Sequence, residues 1–366
     1  MKIAILTSSR ADYGILYPLI SKLKSDNFFK VDLIAFGSHL SNISGKTKEL
    51  VLNDGYEIKY SLNTSPKSDT PLHISNSMAI TINKFAKIWK KESYKLIVVL
   101  GDRYEMFAAC ASSIPFNVKI AHIHGGETTN GAIDDCFRNS ITQMASIHFA
   151  AAEEYKNRII KLKNSNLNIY NTGSLSIDNL KQMKLLSISD FQKKFKIDLS
   201  IPTILITFQP ETINFEKNKK YISILTKTLT DLTNFQLVIT MPNEDTMGMY
   251  IRKKLESFIN KNANAIKVET FGTNGYLSCI KHCKMMLGNT SSGFIEASFF
   301  SKYVINIGKR QDGRIVTPNI RSVEIDRNKI LAAVKNFSKY KVDKYNGIYG
   351  NGRTAEKIIS IIKNKC

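Results

Sequence analysis

No apolar run in this 366-residue chain approaches the roughly 20 residues that a membrane-spanning helix needs. The N-terminal run, Ile3 to Leu6, is far too short for the apolar region of a signal peptide. Cysteine is scarce and odd in number: Cys110, Cys136, Cys279, Cys283 and Cys366, with no Cys-x-x-Cys pair. That spacing argues against a disulfide framework and against a structural zinc site. A reduced, cytoplasmic compartment is therefore the expectation, with no membrane partner. Acidic residues are in deficit, 31 Asp+Glu against 52 Lys+Arg, for a net charge of +21. Nucleic-acid binding is one reading of that excess. The lysines are scattered, however, as in Lys90-Lys91, Lys193-Lys194 and Lys219-Lys220. No basic run is interleaved with aromatics, as a stacking platform for single strands requires. They read as solvated helix faces, so no nucleic-acid partner is expected, while the positive field suits an anionic small substrate.

What the chain does contain is a regular alternation of short apolar runs and amphipathic stretches. Strands are predicted at Lys2–Thr7, Val31–Gly37, Lys95–Gly101, Val118–Ile123, Ile147–Ala151 and Leu167–Asn171. In the second half they are predicted at Thr203–Phe208, Gln236–Met241, Ala265–Phe271, Met285–Leu287, Tyr303–Ile307 and Val323–Ile325. Most are rich in Val, Ile and Leu without polar alternation, as strands covered on both faces are. Between them runs helical spacing; Gly14–Lys24 places Leu16, Leu19, Ile20 and Leu23 on one face. Such alternation implies βαβ units and parallel sheets. About six strands per half fit an α/β chain of two doubly wound domains better than a single barrel of eight strands. The polar stretch Ser176–Ser200 reads as the joint. The expected division is 1–175, a 176–200 linker, 201–350, and a last helical segment, 351–366.

Open α/β sheets bind ligands at the carboxyl ends of their strands, and the polar clusters fall there. The densest is His122-Ile-His124-Gly-Gly-Glu127-Thr-Thr-Asn130-Gly-Ala-Ile-Asp134-Asp135-Cys-Phe-Arg138. Two histidines, three acids and an arginine in seventeen positions after an apolar run suit acid/base chemistry. His122 and His124 are two apart and would share one side of a strand. A metal pair would need further ligands, and no other residues have metal spacing, so no metal is expected. Asp134 and Arg138, four apart, are placed to pair on a helix face. Leu100-Gly101-Asp102-Arg103 ends another predicted strand. Ser9-Arg10-Ala11-Asp12 opens a helix, where an anion would be welcome. Gly288-Asn289-Thr290-Ser291-Ser292-Gly293, leading to Glu296, reads as a phosphate cradle without the lysine of a Walker loop. Gln209-Pro210-Glu211-Thr212, Met241-Pro242-Asn243 and Gly308–Arg314 complete the set.

Together with Thr172-Gly173-Ser174 and Tyr349-Gly350-Asn351-Gly352, these motifs resemble the hydrolysing UDP-N-acetylglucosamine 2-epimerases of the sialic and legionaminic acid branch. The resemblance spans nearly the whole chain. It implies two Rossmann-like domains of the glycosyltransferase-B type, an active site in the interdomain cleft, and a C-terminal helix returning to the first domain. It implies hydrolysis of UDP-N-acetylglucosamine to N-acetylmannosamine and UDP by elimination to a glycal and hydration, without a cofactor. It also implies a homo-oligomer, dimer or tetramer. By similarity Asp102 and Asp134 are acid/base candidates, and Arg138 orients or charges the site. Arg10, Thr290, Ser291, Ser292 and Arg310 hold the diphosphate, flanked by Arg103 and Gly293. Glu296 binds ribose, and Asn243 and Phe271 lie near the nucleotide. Some relatives carry glutamate where this chain has His124; the role passes to His124 or to Glu127, and the sequence leaves that choice open. Gln209 stands where relatives often have histidine; it can donate to a phosphate but cannot shuttle protons. Asn139 likewise replaces a histidine common in relatives.

Cousins in the same branch act on UDP- or GDP-linked 2,4-diacetamido-2,4,6-trideoxyglucose, and the motifs fit that substrate as the alternative. A retaining glycosyltransferase of the same fold is the alternative of another class.

Overall fold

The computed structural model of the protein describes residues 1–41, 47–243, 245–337 and 345–365; Cys366 lies outside them. Two compact units emerge. The first comprises Met1–Glu127, Asp134–Gln182 and Gly347–Cys366; the second comprises Thr128–Ile133 and Met183–Asn346. The path therefore leaves the first unit for six residues, 128–133, returns to it, crosses again at 183 and comes back at 347.

In the first unit, strands β1 (Lys2–Thr7), β2 (Lys30–Phe36), β3 (Tyr60–Leu62), β4 (Leu96–Leu100), β5 (Lys119–Ile123), β6 (Ile147–Ala150) and β7 (Ile169–Asn171) form a parallel sheet in the order β3-β2-β1-β4-β5-β6-β7. The apolar runs make it so, because both faces are covered. Ile3 and Ile5 of β1 join a core with Leu16, Leu19, Ile20 and Leu23 of helix Arg10–Lys24. Ala4 and Leu6, one residue out of phase, face Phe85, Trp89 and Met106 on the other side. Helix Thr354–Lys365 belongs to the first of these layers, inserting Ala355, Ile358 and Ile362.

The second unit repeats the plan. Strands β8 (Thr203–Thr207), β9 (Gln236–Thr240), β10 (Ala265–Val268), β11 (Met285–Gly288), β12 (Val304–Ile307) and β13 (Ile320–Val323) run parallel in the order β10-β9-β8-β11-β12-β13. In each sheet the order reverses at one point, between β1 and β4 and between β8 and β11. Each unit is thus a Rossmann-like domain with a topological switch point. Gly288 makes the second one possible. Its φ is +151°, and a Cβ there would meet the Thr207 carbonyl oxygen at 1.9 Å.

Differences from the sequence expectation lie at sheet edges. Tyr60–Leu62 was not among the predicted strands; it is a three-residue edge strand whose middle residue is exposed. The last strand is Ile320–Val323 rather than Val323–Ile325, and Arg321 and Ser322 are exposed. The polar 176–200 stretch carries two helices, Leu175–Gln182 in the first unit and Ile188–Phe195 in the second.

Candidate active site

The first unit concentrates its polar residues beyond β1, β4 and β5. Arg138, in helix Asp134–Met144, is the largest fully buried side chain among the described residues. A buried guanidinium needs partners. Its Nη2 pairs with Asp102, which follows Gly101 at the end of β4. Its Nη1 donates to Asp135 Oδ1 at 2.5 Å and to the Glu127 carbonyl at 2.8 Å. Sequence spacing singled out Asp134 as the partner on the helix. The structure puts Asp134 at the first position of that helix, and Asp135, three residues before Arg138, accepts from Nη1.

His122 and His124 do not share a strand face, because β5 ends at Ile123. His124 adopts the left-handed conformation, φ +66°, so the alternation stops before it. His122 Nε2 bonds the Gly101 carbonyl at 2.8 Å, and Nδ1 meets Thr142 Oγ1 at 3.1 Å. A carbonyl only accepts, so Nε2 carries the proton and Nδ1 accepts from the threonine. Burial pushes the imidazole down to about 4, with the Arg138 charge adding to the effect. His122 is thus a neutral structural link between β4, β5 and the helix of Arg138. His124 has different partners: Nδ1 lies 3.0 Å from Glu127 Oε1, and Nε2 lies 3.2 Å from Ser174 Oγ. The turn from His124 to Glu127 is tight. Gly126 has φ +75°, and a Cβ on it would lie 2.2 Å from the Tyr155 carbonyl oxygen.

Beyond β1, Ser9 caps helix Arg10–Lys24, and Asp12 completes a capping box. The Asp12 carboxylate accepts from the backbone N–H groups of Ser8, Ser9 and Tyr13 at 2.7–2.8 Å, and from the Thr7, Ser8 and Ser9 hydroxyls. The chain's own aspartate therefore fills the helix N-terminus that the sequence offered to an external anion. Arg10 stands at the first position of that helix. Arg103 stands at the residue before helix Tyr104–Ser113, and its Nε donates to the buried Glu105 at 2.6 Å.

In the second unit the segment 128–133 packs on the loops after β8 and β12. The Asn130 N–H donates to the Asp312 carbonyl at 3.0 Å, and the Gly131 carbonyl accepts from Thr212 N at 3.1 Å. The Ile133 N–H donates to Thr212 Oγ1 at 2.9 Å. Beside it, Gln209 and Asn289 exchange bonds: Gln209 N to Asn289 Oδ1 at 2.7 Å, and Asn289 Nδ2 to the Gln209 carbonyl at 2.8 Å. Gln209 Oε1 accepts from Asn243 N at 2.9 Å, which leaves its amide group as the donor. Arg310 donates to the Pro210 and Asn289 carbonyls at 3.3 and 3.4 Å. These contacts bring Gln209, Asn243, Asn289 and Arg310 together.

The Thr290–Gly293 stretch is a single 3-10 turn, capped by Thr290 Oγ1. Ser291 is exposed, while Ser292 is buried against the Tyr276 hydroxyl at 2.6 Å. Gly293 is buried, and Glu296 begins a four-residue helix. Phe271 is 7% exposed, with its ring between Phe191 and Phe195 at 5.2 and 4.8 Å. Its side chain packs in this aromatic cluster. Sequence reasoning overlooked Asp135 as a partner, Ser174, Tyr276 and Asn289 as supports, and Glu211, which receives Lys309 N at 2.8 Å. Asp135, Ser174, Asn289 and Glu211 stood inside motifs that could have signalled them; Tyr276 did not.

The family model described as UDP-N-acetylglucosamine 2-epimerase matches residues 21–363. A GDP/UDP-N,N'-diacetylbacillosamine 2-epimerase (hydrolyzing) of Campylobacter jejuni is 34% identical over 326 residues, 89% of this chain and 85% of that protein. A UDP-N,N'-diacetylbacillosamine 2-epimerase (hydrolyzing) of Legionella pneumophila is 27% identical over 99% of this chain and 95% of its own. The crystal structure of the Neisseria meningitidis UDP-GlcNAc 2-epimerase bound to UDP-GlcNAc superposes with a TM-score of 0.86 at 17% identity, covering 100% of both chains. That likeness speaks for the two-Rossmann fold. The family match and the Campylobacter relative establish the lineage: the chain belongs to the UDP-N-acetylglucosamine 2-epimerase family and is an epimerase.

Proposed function

We propose that the protein is a hydrolysing 2-epimerase acting on a nucleoside-diphosphate-linked 2,4-diacetamido-2,4,6-trideoxyglucose, on the route to legionaminic-acid-type sugars. The reaction class rests on one observation, the convergence of Asp102, Glu127, Asp135 and Arg138 at the carboxyl ends of β4 and β5. The choice of sugar rests on the named activities of the Campylobacter and Legionella relatives. It reverses the order of preference drawn from the motifs. UDP-N-acetylglucosamine becomes the second reading, favoured by a 25% identical Neisseria meningitidis relative bearing that activity in its name.

In this mechanism a carboxylate, Glu127 in our assignment, takes the proton from carbon 2 of the sugar. The C–H electron pair forms the C1–C2 double bond, and the C1–O bond breaks to release the nucleoside diphosphate. Water then adds its hydroxyl to carbon 1, and carbon 2 is protonated from the opposite face, with Asp102 and Asp134 as the further acid/base groups. Arg138 fixes the Asp102 carboxylate and the Glu127 backbone. Fixed donors stabilise charge that develops on a leaving group. Thr290, Ser291, Ser292, Arg310 and the amide of Gln209 supply them, with Arg10 and Arg103 as further cations. Glu296 accepts from the ribose hydroxyls, and the backbone around Asn243 borders the nucleotide. No metal or redox cofactor enters these steps. The same reading includes a homo-oligomer, supported by the charge-free stretch 71–83, which exposes Leu72, Ile80 and Ile82.

Steady-state release of nucleoside diphosphate from the UDP- and GDP-linked diacetamido sugars and from UDP-N-acetylglucosamine tests the proposal. A kcat/KM at least about tenfold higher for a diacetamido sugar is expected, since a buried polar group left unmatched discriminates at that level or above. Preference for UDP-N-acetylglucosamine would return the assignment to the second reading.

A further inference from the structure

Glu127 sits at the end of a directed chain of polar groups that reaches the C-terminal segment of the protein. Its Oε1 lies 3.0 Å from His124 Nδ1. His124 Nε2 lies 3.2 Å from Ser174 Oγ, and Ser174 Oγ accepts from Ser176 N at 3.3 Å. All three side chains are buried. The directions follow from what each group can do. An ionised carboxylate only accepts, so Nδ1 carries the imidazole proton. The main-chain N–H of Ser176 only donates, so the Ser174 hydroxyl proton is free to point at Nε2. The Glu127–His124 pair stands at ion-pair distance rather than as an aligned hydrogen bond. Catalytic contacts of this kind align when substrate arrives.

Two further observations show that the arrangement is held on purpose. His124 occupies the left-handed region at φ +66°, which costs about 1–2 kcal/mol for a side chain of this kind and persists where the surroundings impose it. Ser174 is gripped by the returning chain: its N–H donates to the Tyr349 carbonyl at 2.8 Å, and its carbonyl accepts from Thr354 Oγ1 at 3.3 Å. Asp178 in turn accepts Thr354 N and Ala355 N at 2.9 and 2.8 Å.

We propose that His124 and Ser174 are positioning residues: Ser174 fixes His124 as the neutral, Nδ1-protonated tautomer, and that imidazole orients the Glu127 carboxylate towards the substrate. This rests on the assignment of Glu127 as the acid/base group above. It gives the imidazole a supporting role and leaves the chemistry to the glutamate. Around this pair, Arg138 bonds the Glu127 carbonyl and carries Asp102 and Asp135, and the buried His122 interacts electrostatically with His124.

The test compares wild type with Glu127→Gln, His124→Ala, His124→Asn and Ser174→Ala, reading kcat, KM and the pH profile of kcat. Glu127→Gln should lose at least about 10²-fold in kcat. His124→Ala should lose roughly 10–100-fold in kcat with little change in KM, and should move the acid limb of the profile. Asparagine tolerates the left-handed conformation and offers an amide donor where Nδ1 stood, so His124→Asn should recover most of the loss. Ser174→Ala should shift in the same direction by less. Independently of activity, nitrogen-15 NMR of the histidines, with the His124 signal identified by its absence in His124→Asn, should show a protonated Nδ1 and a bare Nε2 at neutral pH. An imidazolium, or the opposite tautomer, overturns the proposal. So do unchanged kcat and pH profile in His124→Ala and Ser174→Ala while Glu127→Gln is inactive. An active Glu127→Gln instead overturns the assignment on which the proposal rests.

Discussion

Arg138 carries a full charge with no exposed surface, and three acceptors surround it: Asp102, Asp135 and the Glu127 carbonyl. Leaving buried hydrogen-bonding groups without their donor costs about 1–3 kcal/mol, and more where charge is involved. A lysine supplies one compact ammonium in place of a rigid fork, so it cannot serve two carboxylates and a carbonyl in the same geometry. Arg138→Lys is therefore expected to lose at least ~10²-fold in kcat/KM, with a measurable fall in thermal midpoint. Steady-state kinetics and a melting curve check both. The sequence showed that acids and an arginine crowd together after β5, but its i,i+4 spacing pointed to Asp134 and passed over Asp135. Residues three and four apart both reach along a helix. Ser174 stood in a quoted motif, but its partner, like that of Tyr276, was invisible for another reason. A single hydroxyl far along the chain has no local signature; only the fold brings it to His124 or Ser292.

At the scale of elements, strand interiors were legible and sheet edges were not. Doubly covered strands such as Leu96–Leu100 are apolar throughout, whereas an edge strand such as Tyr60–Leu62 or Ile320–Val323 exposes residues that break the pattern. The close approach of β8 and β11 is a direct consequence of Gly288. Gly288→Ala would drive a Cβ into the Thr207 carbonyl and force a backbone that alanine disfavours. A loss of at least ~3 kcal/mol is expected, read as a lower denaturation midpoint, with weaker nucleotide binding because Thr290–Gly293 follows directly. The neighbouring strands β5 and β6 carry a second consequence. His122 and His148 are paired in register, and burial holds their imidazoles at about 4 and about 3. Between those values and the ordinary 6.5, the unfolded chain binds protons that the folded chain has released. Stability therefore rises with pH across that window and levels off above it. His122 alone contributes roughly 3 kcal/mol to the loss on acidification. Denaturant midpoints measured from pH 7 down to pH 4 should fall steadily, and His122→Asn should flatten the curve. A midpoint that does not change over that range contradicts the account.

For the molecule as a whole, the division into two units was readable in the repeated strand–helix alternation, but the path between them was not. The six residues 128–133 lie inside the densest motif of the chain yet belong to the second unit. Sequence neighbours give no sign of such a detour, because it is set by backbone bonds to Thr212 and Asp312. The last segment is the converse case. It returns to the first unit, where Ala355, Ile358 and Ile362 are fully buried. Removing residues 347–366 would uncover that apolar face and free Ser174 and Asp178. Burial of each large aliphatic side chain contributes about 1.5–3 kcal/mol, so the truncated chain is expected to aggregate or to lose the cooperative unfolding of its first unit, as calorimetry would show. The central claim is that these parts perform an elimination and a hydration at carbon 2. The measurement that bears on it most directly is proton NMR of the reaction in heavy water, starting from the UDP- or GDP-linked 2,4-diacetamido-2,4,6-trideoxyglucose. The account predicts free sugar of manno configuration carrying deuterium at carbon 2, together with the nucleoside diphosphate. Release of a gluco sugar that keeps its proton at carbon 2 would contradict it.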